Sequence, residues 1–161
     1  MSNKICNTVV IELKKFTNEA VLKADYSEKK AESCANATIK CIYINFKNRL
    51  LYVPCCDQRK IHEEKQNIRA DFNGENHNEL AIKYQRSAQS IYAILKSKNI
   101  KKPKPAIAIE VIQDYLPVEF INIGLSEETA KMIAKDIAEH LLQKFPGVSI
   151  YISKEMVESN S

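Results

Sequence analysis

Between Ala31 and Phe46 the chain places Ala31, Ala35, Thr38, Ile42 and Phe46 at spacings of three and four. That spacing predicts an amphipathic helix with one buried stripe. The same stripe returns as Ala130, Ala134, Ile137, Leu141 and Phe145. Each run opens on a serine, Ser27 or Ser126, followed by glutamate. A serine oxygen there can accept from the unpaired first-turn N–H groups, and the carboxylates suit the positive end of the helix dipole. After each helix a short turn is expected, Lys47-Asn48-Arg49 or Pro146-Gly147-Val148. A β-rich segment then follows, Leu50–Pro54 or Ser149–Ser153, reading Leu-Leu-Tyr-Val-Pro and Ser-Ile-Tyr-Ile-Ser.

These two stretches are copies of one unit. With a shift of 99 residues, Ser27/Ser126, Glu28/Glu127, Ala31/Ala130, Ala35/Ala134, Phe46/Phe145 and Tyr52/Tyr151 coincide without a gap from Tyr26 to Pro54. Apolar class is also kept at Ile42/Leu141, Leu51/Ile150 and Val53/Ile152. Upstream, Val9–Leu13 echoes Ile107–Val111 at an offset of 98; the pattern leaves helix or strand open there. A lone strand leaves its backbone donors without partners. Two copies of helix–turn–strand therefore imply an antiparallel two-stranded ribbon backed by helices, formed either within one chain or between chains. The expected fold is mainly α with a small antiparallel β-ribbon, in three stretches: a first helix–strand repeat over 1–58, a helical segment with a basic linker over 59–105, and a second helix–strand repeat over 106–161.

The middle segment reads as three helices. Lys60–Phe72 carries Ile61, Ile68 and Phe72 and ends at Asn73-Gly74. A short helix follows with Asn78 as its expected cap and Leu80, Ala81 and Tyr84 inward. Gln85-Arg86-Ser87 forms a turn. Ala88–Lys98 is the third helix, with Ile91, Ile94 and Leu95 on the core side and Ser87 as its expected N-cap. A short helix, a tight turn and a longer helix with polar N-terminal positions match the helix-turn-helix pattern, whose second helix enters the major groove; a plain three-helix packing unit has the same periodicity. Glutamine can pair with adenine N6 and N7, serine can bond either type of groove-edge group, and Arg86 and the lysines suit phosphates.

Charge sharpens that picture. The chain carries a formal +4, yet Arg59 to Pro105 alone carries +6 and the remainder −2. From Ala81 to Pro105 stand Lys83, Arg86, Lys96, Lys98, Lys101, Lys102 and Lys104 with no acidic residue. A cationic stretch coinciding with the helical motif is the footprint expected for phosphate binding. A solvated helix face would explain the charge alone, but not its coincidence with the motif.

Other chemistry is not suggested. Three glycines, none clustered, leave no loop to cradle phosphate, and there is no HExxH or GxSxG. No enzyme activity and no cofactor are expected. The five cysteines, an odd number without a CxxC pair, do not predict a disulfide framework or a metal site. Cys34 and Cys41, seven apart, are expected to be buried apolar side chains. No apolar run approaches the length of a membrane span and the first residues lack a signal-peptide core, so a cytoplasmic location without membrane contact is expected.

Leu51-Tyr-Val-Pro54, Ile68-Arg-Ala-Asp-Phe-Asn-Gly74, Asn78-Glu-Leu80, Tyr84 and Ile91-Tyr-Ala-Ile94, in that order, resemble the Mor (middle operon regulator) family of phage transcription activators. The resemblance covers about Ala24 to Asn99. It implies a strand and helices that form an intertwined dimerisation domain, one helix-turn-helix per subunit, and a homodimer that binds an inverted repeat in double-stranded DNA and recruits RNA polymerase. It places Ser87, Gln89, Ser90 and Tyr92 at recognition-helix positions and Tyr52 at the ribbon tyrosine. The expected DNA-contacting set is thus Arg86, Ser87, Gln89, Ser90, Tyr92, Lys96 and Lys98, with Arg49 and Tyr52 from the ribbon segment. Two features depart from the family. Asn48-Arg49 and Gln85 stand where glycines are usual, and a second dimerisation-like segment follows the helical one. That spare copy gives a rival reading from another class: a protein-interaction module that pairs with a related activator and modulates it.

Overall fold

The computed structural model describes residues 2–98 and 107–153. Seven helices and two strands are found among them: α1 (Ser2–Lys23), α2 (Glu28–Phe46), β1 (Arg49–Tyr52), α3 (Gln58–Asp71), α4 (His77–Lys83), α5 (Ala88–Lys96), α6 (Ile107–Ile123), α7 (Glu127–Lys144) and β2 (Ser149–Ile152). The chain divides into two compact units. One holds residues 1–56 and 106–161, the other 57–105. The basic run at Lys101, Lys102 and Lys104 lies outside the described residues.

In the first unit both stretches run helix, helix, strand: α1, α2, β1 and α6, α7, β2. β1 and β2 pair antiparallel within the one chain, Leu51 opposite Ile150 and Leu50 opposite Tyr151. Because Leu51 and Ile150 are also equivalent under the 99-residue shift, a local two-fold axis passes through that pair. Leu51, Val53, Ile150 and Ile152 point into the core, as alternation along a strand requires. The ribbon is extended at its ends by Asn48 N–H donating to Ile152 O and Val53 N–H to Val148 O, both 2.8 Å.

Burial follows the same shift. Val9/Ala108, Leu13/Ile112, Thr17/Leu116 and Val21/Phe120 are all buried, as are Ala31/Ala130, Cys34/Ile133, Ala35/Ala134, Thr38/Ile137 and Ile42/Leu141. The stretch around Val9 and Ile107, left open between helix and strand, is helical in both copies. Its register is 99, not the 98 suggested by the local echo, because burial sets register more firmly than identity does. Arg49, expected in the turn, is the first residue of β1.

Backbone turns repeat as well. Asp25 (φ 62°) and Gly124 (φ 108°) end the first helix of each copy, and Asn48 (φ 56°) and Gly147 (φ 72°) precede each strand. At the first of these, Tyr26 N–H donates to Val21 O and Leu125 N–H to Phe120 O, the six-to-one bond of a Schellman ending, which needs a left-handed residue before it. Aspartate and asparagine tolerate that region better than most side chains. Ser27 and Ser126 cap α2 and α7, accepting from Lys30 N–H and Thr129 N–H.

The copies interlock. α1 packs on α2 and α6 on α7, but α2 also packs on α6, α1 on α7 and β2, and α6 on β1. Each copy therefore completes the other's core. Cys34 and Cys41 are buried in it, as expected, and burial pushes both thiols up to about 11. Among the described residues one buried polar pair interrupts the apolar lining, and it lies in the first copy. The Thr17 and Thr38 hydroxyls meet at 3.3 Å, and each also donates to the carbonyl one turn back, Leu13 O or Cys34 O.

The candidate nucleic-acid interface

The second unit is built on four buried side chains, Ile68, Leu80, Ile91 and Ile94, with Phe72, Ala81, Tyr84 and Leu95 packed around them. α3 is capped by Asp57, which accepts from Arg59 N–H at 3.0 Å. Between α3 and α4, Asn73 Oδ1 accepts from the N–H groups of Glu75 and Asn76, and Asn76 Oδ1 accepts from Asn73 N–H, all at 3.0 Å. Asn76, not Asn78, therefore stands at the start of α4. Its side chain is already used in the turn, so the helix begins without a side-chain cap.

α4 ends in the same six-to-one manner as α1. Arg86 N–H donates to Ala81 O at 2.9 Å, and Gln85 takes φ 51°. A non-glycine residue here adopts the backbone for which glycine is usual. Ser87 caps α5, accepting from Ser90 N–H at 3.2 Å. Its hydroxyl is accordingly engaged with backbone.

α5 shows a sharp division. Ile91 and Ile94 are buried, whereas Ala88, Gln89, Tyr92, Ala93 and Lys96 are exposed along the opposite face. Gln89, Tyr92 and Lys96 thus share one stripe, separated by small residues; Ser90 lies half-buried beside it. Tyr92 stacks on His77 of α4, ring centroids 4.2 Å apart, and His77 meets Phe72 edge-on at 4.8 Å. Lys98 is exposed just beyond the helix.

Two arginines hold this unit together. The Arg86 guanidinium reaches both oxygens of Glu64 on α3, at 2.6 and 3.1 Å. That fork holds the Glu64 carboxyl below its ordinary range. Two of Arg86's nitrogens are therefore occupied in tying the turn to α3. Arg69, also on α3, donates from Nε and Nη2 to Ile94 O at 3.2 and 3.1 Å, and from Nη2 to Ser97 O. It closes the carbonyl end of α5, where positive charge is favoured. Neither Arg69 nor His77 stood out in the sequence. The partners lie 25 and 15 residues away, beyond any helical or strand period. At the end of α4, Lys83 Nζ and the hydroxyl of the capping Tyr84 both meet Asp71 Oδ2, at 2.7 and 2.5 Å.

The ribbon residues belong to the first unit. Arg49 and Tyr52 occupy positions of opposite parity on β1, so their side chains leave opposite faces. Tyr52 shares the outer face with Leu50 and Tyr151, all exposed. Among the described residues no helix is long and apolar enough to cross a membrane.

The described chain thus comprises a helical unit with an antiparallel ribbon and a three-helix unit. Residues 5–106 match the sequence model of the Mor transcription activator family, and the chain belongs to that family. The match spans the first copy and the middle unit and stops at the start of α6; the second copy lies beyond it. No curated protein and no solved structure matches the chain significantly.

Proposed function

We propose that this chain is a sequence-specific DNA-binding transcription regulator, an activator by family, and that α4, the Gln85–Ser87 turn and α5 are its helix-turn-helix. The observation that carries the reading is the exposed stripe of α5, where Gln89, Tyr92 and Lys96 stand clear of the core on a capped helix in an acid-free stretch. In this reading Gln89 and Ser90 approach base edges, while Lys96 and Lys98 contact phosphate. Tyr92 is steadied by His77. Ser87 acts through the cap, and Arg86 through its hold on α3 more than through a phosphate. Arg49 and Tyr52 would contact the DNA backbone or minor groove only from the ribbon body. Recruitment of RNA polymerase and a cytoplasmic location belong to the same proposal.

The rival reading, a module that captures a related activator through its ribbon, needs a strand awaiting a partner. Here β1 and β2 each fill the edge that a related activator's ribbon strand would take, which favours the DNA reading. Selection of duplexes from a random-sequence pool, followed by footprinting, tests it. A defined protected site is expected, and a protein that retains no duplex above background would refute it.

A further inference from the structure

Four polar contacts between the two copies are one-sided. Glu12 on α1 meets His140 Nε2 at 3.0 Å and Lys144 Nζ at 3.3 Å on α7. Under the 99-residue shift, the corresponding residues are Val111 opposite Cys41 and Asn45. Lys30 Nζ donates to Gly124 O at 3.0 Å; the counterpart of Lys30 is the short Thr129. Ser126 N–H donates to the Tyr26 hydroxyl at 3.0 Å; the counterpart of Tyr26 is Leu125, which has no acceptor.

The Glu12 cluster would vanish if like met like, and a pairing of two second copies would also lose the Lys30 and Tyr26 contacts. A pairing of two first copies would set Glu12 against Cys41 and Asn45. A pairing of two second copies would set His140 and Lys144 against Val111. Glu12 and His140 are no more than a quarter exposed, so leaving either without its partner there biases the halves toward the unlike pairing. The second copy is also tethered to the first by the intervening unit, so it meets its partner at the high effective concentration of an intramolecular event.

We infer that the diverged second copy replaces a second subunit: the chain is a single-chain counterpart of a two-chain ribbon body, stable as a monomer, and it presents one DNA-reading helix to one major-groove segment and not to an inverted repeat. The second clause rests on the DNA-binding reading above; the first does not. Among the described residues only the segment between the copies carries such a helix.

The test takes the intact chain in two measurements. Light scattering after size exclusion, and thermal midpoints over a hundredfold concentration range, address the body. A single species at 18.4 kDa with a constant midpoint is expected. Twice that mass, or a midpoint that climbs with concentration as it does for coupled folding and association, overturns the inference, and a pair made by exchanging second copies would register in the same way. Footprint length and stoichiometry on a selected duplex address the site. Protection of about one helical turn, roughly 10 base pairs, by one chain is expected. Protection of two symmetric turns by two chains overturns the single-site clause while leaving DNA binding intact. A monomer that retains no duplex overturns that clause together with the DNA-binding reading, and supports the single-chain body.

Discussion

Arg69 offers the most exacting check on how α5 is held. Its fork supplies three donations to the last carbonyls of α5, two to Ile94 O and one to Ser97 O. Hydrogen bonds with a charged partner contribute about 1.5–3 kcal/mol in sum at a site like this, part of it the favourable placement of a cation at a helix C-terminus. Arg69→Ala should therefore destabilise the unit by about 2 kcal/mol. With four buried side chains in its core, the unit has little to spare, since cores this small rarely supply more than about 3–5 kcal/mol. A loss of about 2 kcal/mol raises the open population roughly 30-fold. Amide hydrogen exchange along α5 should accelerate by that factor, while DNA affinity changes little, because most molecules remain closed. Arg69→Lys keeps the charge but not the planar fork, so it should recover only part of the protection. If α5 amides in Arg69→Ala exchange within about twofold of wild type, when roughly 30-fold is expected, Arg69 does not anchor the helix and the assigned geometry is wrong.

Other expectations follow from single contacts. Gln89→Ala should cost about 1–3 kcal/mol at one base position and leave non-specific affinity nearly unchanged; identical ranking of singly substituted sites by both proteins would contradict this. Lys96→Ala should weaken binding to all sequences and reduce the salt slope by about 0.9, read from affinities at several salt concentrations. Leu51→Ala, at the centre of the ribbon, should destabilise the first unit by about 2–5 kcal/mol in denaturant titration. Glu12 is held below its ordinary value of 4.5, first by the hydrogen bond from His140 and then by Lys144. A carboxyl depressed in the folded state stabilises fully above that ordinary value and loses its contribution as pH falls through the lowered one. Glu12→Gln should thus flatten the acid limb of the stability curve, and an unchanged limb would show the cluster to be inert.

What was legible depended on distance along the chain. The capped stripes of α2 and α7 and the two strands declare themselves, because helical and strand periods lie within a few residues and the second copy repeats them. α1 is obscured by Val9-Val-Ile next to Leu13, a β-branched run whose helical period emerges only over Cys6, Val9, Leu13, Thr17 and Val21, with a polar Thr17 in the stripe. α6 is obscured by Pro117 inside it; the helix continues because Ile112, Leu116 and Phe120 remain buried on either side. At the site, the exposed and buried faces of α5 are written in its period, and the Ser87 cap in its residue type. The Glu64–Arg86 and Arg69–α5 ties are not, since they join residues 22 and 25 apart whose proximity exists only once three helices have packed.

Thr17 and Thr38 show what it means for the two halves of this body to be encoded separately. In an assembly of identical subunits every substitution is made twice, and its cost is counted twice. Here a hydroxyl pair occupies the first half while Leu116 and Ile137 fill the same places in the second. A change that a symmetric assembly could not survive in duplicate can be tried on one side alone. Each half is thereby free to specialise toward its neighbour, one gene bearing both sides of a lock and its key.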